Sequence, residues 1–405
     1  MRIATSTIFE TGTNQMGTLQ SNIARTQMQL STNRRMLTAA DDPIASARAL
    51  EVTQSQSMNT QFATNRQNAK SSLSQVGLAL QGTTGLLQDI QELTINAGNA
   101  ALGQSDRESL AIALTGRLDD LMGLANSADG AGGYLFSGYK STTVPFTQTP
   151  TGAQYNGDQG QRQLQVGSSR QLAVSDSGAS IFENNITGNG TFETKPSTSN
   201  TGAGIVSVGA VSNATALTGH SYSLAFSVAG TPAVTTYAVT DTTTNTAVGT
   251  PQPYESGKQI SVDGMSFDIK GDPANGDTFS VAPSQKQSIF TTITNLIATL
   301  RAPGTGAAGQ ARLTNGLNAA NANLSSSLDN VLSVQASVGS RMKELDYLDS
   351  AGDDLNLQYA STLSNLQDLD MVAALSLFSQ QQLTLEASQK SFKTLSGLSL
   401  FNFIS

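Results

Sequence analysis

The chain has 405 residues, with 22 basic and 30 acidic side chains and a formal net charge of −8. Charged residues make up 13% and aromatics 5%, with one His and no Cys or Trp. So few cations leave no electrostatic footprint for nucleic acid or an anionic membrane, and the missing Cys excludes disulfide frameworks, thiolate metal sites and thiol nucleophiles. The length predicts two or three domains. Apolar residues other than Gly are 38%, and the 37 Gly bring the total to an ordinary globular value. No apolar run approaches the roughly 20 residues of a membrane span, and the first ten residues lack the apolar segment of a secretory signal. The expectation is a soluble chain that uses no cleaved signal.

The N-terminal flank reads as helix. Met16, Leu19, Ile23, Thr26, Leu30, Asn33 and Leu37 step by three and four, the spacing of a heptad seam. A second seam runs from Val52 through Phe62, Ala69, Leu73, Val76, Leu80, Leu87 and Ile90 to Ala97. Ser105-Asp106-Arg107-Glu108 has the form of a capping box opening a third helix to about residue 128. Asp129-Gly130 and Gly132-Gly133 then stop it.

Eight of the ten prolines lie between 145 and 283, where only four leucines occur. Pro is expelled from helix interiors and Leu favours them, so this middle is predicted to be non-helical. Tyr222, Leu224, Phe226 and Val228 alternate with small residues, as do Ile260 and Val262, then Met265, Phe267 and Ile269, then Phe279 and Val281. That period of two marks half-buried antiparallel strands. Val262-Asp263-Gly264-Met265 carries a hairpin signal. The Thr-, Ser- and Gly-rich stretch 192–212 reads as a loop or weakly ordered linker.

The C-terminal flank holds the longest pattern. From Leu313 to Ala373 the steps of four and three continue without a break through Leu324, Val331, Val338, Leu345, Gly352, Leu355, Tyr359, Leu366 and Leu369. The paired flanks predict a chain that runs out and back, with the β middle at the far tip. Several seam positions are polar or Gly: Ser55, Asn59, Arg66, Thr83, Thr94, Ser327 and Gly352. Two readings follow, an elongated bundle with a partly polar core or a subunit whose polar seams are completed by neighbouring copies.

Few residues offer chemistry. His220 has no second His at ligand spacing and reads as a strand-edge residue. Asp268, Lys270 and Asp272 resemble the start of a calcium loop, but the Lys and Pro273 break it, leaving a turn. Gly130-Ala131-Gly132-Gly133 lacks the Lys-Ser/Thr of a phosphate loop and reads as a helix stop. The Asp41-Asp42 and Asp353-Asp354 pairs have no acid–base partner, and Asp42 before Pro43 fits a helix N-cap. Tyr134-Leu135-Phe136 reads as core.

The order of several short motifs carries a resemblance. Met1-Arg2-Ile3-Ala4-Thr5-Ser6, Ala39-Ala40-Asp41-Asp42-Pro43-Ile44-Ala45, and Tyr134-Leu135-Phe136-Ser137-Gly138-Tyr139-Lys140 are similar to elements of the flagellar hook-associated protein 3 family. Tyr155-Asn156-Gly157-Asp158 with Gly160, Asn275-Gly276-Asp277, Leu366 with Asp368 and Asp370, and the tail Leu398 to Ile404 resemble further ones. The nearest relatives to exclude are flagellins; Pro-Ile-Ala after Asp42 and the Leu-Phe-Asn-Phe-Ile-Ser ending favour the junction family.

The resemblance implies an α+β flagellin-like fold, with paired long terminal helices and an inserted antiparallel β domain. Residues 1–42 and 360–405 would form a terminal assembly domain, 43–144 and 284–359 a helical bundle, and 145–283 an outer β domain. It implies a non-enzymatic adaptor without cofactor or metal, joining the hook, through the hook-side junction protein, to the flagellin filament. The chain would form a closed ring of about eleven copies and leave the cell unfolded through the flagellar export channel. A cytoplasmic export chaperone would hold the C-terminal helix by Leu383, Phe392, Leu395 and Leu398, a helix-in-groove mode. The expected assembly contacts are Met16, Leu19, Ile23, Leu30, Leu37, Asp42, Pro43, Leu366, Leu369, Leu383, Phe392, Leu395, Leu398, Phe401 and Phe403. A flagellin filament subunit is the alternative within this class, and a stalked surface adhesin the alternative outside it.

Overall fold

The computed structural model describes residues 5–302 and 304–397, with the side chains of all of these except 5, 6, 8 and 395–397. Among the described residues there are six α-helices: α1 (Thr5–Thr32), α2 (Pro43–Ala97), α3 (Gln104–Ala125), α4 (Ile289–Arg301), α5 (Gly306–Gln367) and α6 (Met371–Gly397). Their polar stretches stay helical because apolar residues recur at heptad spacing and bury on a neighbour. Residues 1–64 and 347–405 form one compact unit, and 65–346 a second.

The second unit holds the apolar core. Leu73, Val76, Leu80, Leu87 and Ile90 of α2, Leu114 and Leu121 of α3, and Leu324, Val331 and Leu345 of α5 are fully buried. The polar seam positions do not await a neighbour. Thr83, Thr94 and Ser327 return their hydroxyls to the carbonyls of Ala79, Ile90 and Asn323 at 2.7–2.9 Å. The buried Arg66 guanidinium donates to Val166 O at 3.1 Å. A hydroxyl can satisfy itself on the preceding turn of its own helix, so the reading that other copies complete these contacts is corrected here. Helix α3 also opens two residues earlier than expected. Gly103, not Ser105, is its N-cap, because the Asp106 carboxylate accepts the Gly103 N–H at 2.9 Å.

Between α3 and α4 lie fifteen strands. β1 (Phe146–Thr149) pairs β2 (Gly152–Tyr155), and β3 (Gln163–Gln165) pairs β4 (Gln171–Ala173). The next are β5 (Asn185–Ile186), β6 (Phe192–Pro196), β7 (Ile205–Val206), β8 (Ala210–Val211), β9 (Tyr222–Ala229), β10 (Val234–Asp241) and β11 (Thr246–Pro253). The last are β12 (Gln259–Val262), β13 (Met265–Lys270), β14 (Thr278–Pro283) and β15 (Lys286–Gln287), which pairs β5. A five-stranded sheet has the order β11-β10-β9-β14-β6, and a four-stranded one joins β12, β13, β7 and β8. Leu224, Phe226, Phe279, Val281, Phe267 and Ile269 from both sheets form one core. All four predicted alternating segments are strands. Asp263 (φ 41°) and Gly264 (φ 81°) form the predicted hairpin turn, with Val262 opposite Met265.

The stretch 192–212 is not a linker. It supplies β6, β7 and β8. Its order comes from backbone pairing and from Asp277, whose carboxylate accepts the Thr201 and Gly202 N–H groups at 2.8 and 3.0 Å. All of those partners are more than 50 residues away, beyond any local pattern. Strands β10 and β11 are rich in Thr, and β11 tolerates Pro251 and Pro253 because it is an edge strand.

Two of the motifs that carried the resemblance pack on each other. Asp158 accepts the N–H groups of Tyr139, Lys140 and Gly160 at 2.8–3.1 Å. Tyr155 donates to Phe136 O and lies on Asp158 O. A Cβ on Gly160 would enter the Tyr139 ring. Leu135 and Phe136 are buried core residues, as expected.

Candidate assembly interface

In the terminal unit α1 and α6 pack antiparallel. Gly12, Met16, Leu19, Ile23, Thr26 and Leu30 of α1 are withdrawn from solvent. So are Ala374, Phe378, Gln381, Leu385, Ser388 and Phe392 of α6. Both sets step by four and three, so the seam read in α1 is real. Phe392 meets Phe9 edge-on with centroids 4.9 Å apart. Its ring lies over Gly12, where a Cβ would sit 2.9 Å from two ring atoms. Further along, the Thr26 hydroxyl lies 3.0 Å from both the Gln381 side-chain oxygen and the Asn22 carbonyl. Thr26 is only 4% exposed, so this polar pair is part of the seam.

The connectors at the base of this pair are closely bonded. Asn33 (φ 54°) ends α1, and the Arg34 N–H returns to Gln29 O at 3.2 Å, a Schellman turn. Leu37 therefore leaves the helical seam expected for it and lies in the α1–α2 connector. Arg25 is 2.6 Å from Asp41. The N–H groups of Thr38 and Leu37 donate to Asp41 Oδ2 at 2.9 and 2.8 Å, holding its carboxyl below the usual carboxylate range against the opposing effect of burial, with Arg25 adding to the effect. Asp42 caps α2 by accepting the Ala45 N–H at 3.0 Å, and Pro43 is the first helical residue. Both match the capping chemistry read in the sequence. Met36, Leu37, Pro43, Ala47, Leu50 and Gln367 line a groove of about 540 Å³.

On the C-terminal side the unbroken pattern is interrupted. α5 ends at Gln367 and α6 starts at Met371, with Leu366 and Leu369 half-buried on either side. Asp370 caps α6 by accepting the Val372 and Ala373 N–H groups at 3.0 Å. Leu355 is exposed rather than in the seam, while Gly352 is buried and accepts the Asn59 amide at 2.7 Å.

Leu383 and Phe392 do not share a face. Nine residues at 100° each place them on opposite sides of α6: Phe392 faces α1, and Leu383 is 69% exposed. The side chain of Leu395, and Leu398, Phe401 and Phe403 entirely, lie outside the described residues. Sequence reasoning missed a second apolar set, off the seam: Ile44, Leu50, Leu357, Val372, Leu375 and Leu377, all exposed. Their visible signal was apolar residues at positions the heptad assigns to solvent.

These exposed residues are unevenly spread. Thirteen of the 22 exposed large apolar side chains belong to the terminal unit, which buries only the small apolar residues Ala45, Ala49 and Ala374 among those described. Among the described residues no group of three or more His, Cys, Asp or Glu could hold a metal ion, and no helix is long and apolar enough to cross a membrane. His220 sits at the start of β9, its Nδ1 2.7 Å from Asp241 Oδ2. Burial would raise the Asp241 carboxyl, but hydrogen bonds from His220, Thr243 and Thr244 outweigh it and hold the group at about 2.

Comparison with known proteins agrees with this arrangement. A family model described as the bacterial flagellin N-terminal helical region matches residues 3–141. One described as the D2-like domain of flagellar hook-associated protein 1 matches 196–283, most of the two-sheet region. The flagellar hook-associated protein 3 of Salmonella typhimurium is 30% identical over 402 residues, covering 99% of each chain. Among solved structures, hook-associated protein 3 of Legionella pneumophila superposes with a TM-score of 0.74 at 33% identity, covering 78% of this chain and 98% of that one. FlgL of Xanthomonas campestris gives 0.71 at 28% identity, covering 77% and 99%. With an α+β flagellin-like fold and full-length similarity at this level, the chain belongs to the flagellar hook-associated protein 3 family.

Proposed function

We propose that this chain is a structural component of the bacterial flagellum, an adaptor at the junction of hook and filament. One observation carries the reading at residue level. The terminal unit exposes Val372, Leu375, Leu377, Leu383, Leu357 and Ile44 while burying almost no large apolar side chain. Apolar surface of that extent is unfavourable in water and marks an interaction site. Its occupants in this reading are neighbouring copies and the adjoining hook-side and filament-side subunits. The copies would close into the ring of about eleven that the family resemblance implies; a head-to-tail contact that did not close would grow without limit. Before assembly the chain is exported unfolded, and the outward face of α6 around Leu383 is the one a cytoplasmic chaperone would cover.

Fractionation of hook–basal bodies tests the role. One ring's worth of chain at the hook tip supports it, bulk presence along the filament makes the chain a filament subunit, and absence from both leaves a surface adhesin. Limited proteolysis of the monomer tests the terminal unit. Its ends should be cut well before 65–346, because ordering each residue costs about 1–2 kcal/mol and this unit buries too little apolar surface alone to offset that. Equal resistance throughout would refute it.

A further inference from the structure

The heptad pattern of the C-terminal flank crosses residues 368–370 without a fault, and no Pro or Gly lies between Ser364 and Ala374. Yet the helix stops there. The α1–α2 connector bonds to the chain at that point. The Arg35 N–H donates to Gln367 O at 2.8 Å, and its guanidinium to Leu366 O at 3.0 Å. Asn33 O accepts the Leu369 N–H at 3.4 Å. Arg35 is itself held from two sides, by the Gln29 side chain on its carbonyl at 2.6 Å and by Asp42 at 3.3 Å.

A continuous helix would join α5 to α6 by five bonds, from the N–H groups of residues 369–373 to the carbonyls of 365–369. The broken form replaces them with five others: the three from Arg35 and Asn33, and the two that Asp370 accepts. The hydrogen-bond count is therefore equal, and three of the five bonds of the broken form depend on the connector being in place. We propose that the α5–α6 break is conditional. The connector, through Arg35, ends α5; when the connector moves off, α5 and α6 join into one helix.

This gives the terminal unit two forms and makes Arg35 the positioning residue that selects between them. Met36 and Leu37 of the same connector line the 540 Å³ groove, so a second copy engaging that groove would pull on the clasp. That use rests on the junction reading; the helix switch does not, because it belongs to the isolated chain.

Backbone amide exchange of the full-length monomer tests it. The N–H groups of Asp370 and Met371 have no hydrogen-bond partner among the described residues, so they exchange fast in the native chain. In Arg35→Ala they should slow by at least about tenfold, as each gains an intrahelical bond. Adding Leu369→Pro must return both to fast exchange, because Pro cannot occupy the interior of the joined helix. A second variant, Asp370→Leu, leaves the connector untouched but removes two bonds of the broken form. It must slow Met371 as well. If both amides stay as fast as native in Arg35→Ala and Met371 stays fast in Asp370→Leu, the break is intrinsic and the proposal is overturned.

Discussion

Two glycines of one helix should respond differently to alanine. Gly17 of α1 has nothing within 4 Å of where a Cβ would stand. Gly→Ala in an exposed helix interior gains about 1 kcal/mol of helix propensity, so Gly17→Ala should stabilise the terminal unit by that amount. At Gly12 the same gain applies, but the new Cβ would sit 2.9 Å from two atoms of the Phe392 ring. Overpacking of this kind costs about 1–3 kcal/mol. Moving the ring also weakens its edge-on contact with Phe9, a type of pair that contributes about 0.5–1.5 kcal/mol. Gly12→Ala should therefore be neutral to about 2 kcal/mol destabilising, and the two variants should differ by roughly 1–3 kcal/mol. The assay is amide exchange at Leu19 and Ile23, which reports opening of the α1–α6 pair. Phe392→Ala in the Gly12→Ala background should remove the clash, so the double variant must lose less than the sum of the singles. Equal stabilisation by Gly12→Ala and Gly17→Ala would refute the seating of Phe392 over α1.

The outward face gives the contrasting result: Val372→Asp and Leu383→Asp should leave monomer stability within about 0.5 kcal/mol, yet abolish swimming in a motility-agar assay. In the second unit, Gly160→Ala drives a methyl into the Tyr139 ring and should cost about 2 kcal/mol or more in urea unfolding. Asp241, depressed from 3.8 to about 2 in the fold, contributes stability that is present above its unfolded value and lost as the pH falls through its folded one. Asp241→Asn should therefore flatten the fall in melting temperature between about pH 4 and pH 2, and an unchanged acid limb would show that the hydrogen bonds Asp241 makes with His220, Thr243 and Thr244 add nothing.

Local periodicity made much of this protein legible. The Pro and Leu distributions separated the β middle from the helical flanks, and steps of three and four located α1, α2 and α5. Alternation found β9, β12, β13 and β14, because side-chain burial repeats with the backbone that carries it. Short motifs such as Asp42-Pro43 and Asp263-Gly264 were readable for the same reason, since a cap or hairpin turn is set by neighbours in sequence. The same logic did not reach contacts set from elsewhere in the chain. β6, β7 and β8 look like a Ser- and Thr-rich linker until β14 pairs with β6, β13 pairs with β7 and β8, and Asp277 holds the loop between them. Phe392 and Leu383 both look like members of one apolar face until α1 takes the first and leaves the second in solvent. The break between α5 and α6 is the sharpest case. Residues 364–374 carry an uninterrupted helical pattern, and only the tertiary structure brings Arg35, more than 300 residues upstream, to the carbonyls of Leu366 and Gln367. A pattern in sequence can say that a helix is possible there. Which hydrogen-bond partner the last carbonyls take is decided only when the distant connector arrives.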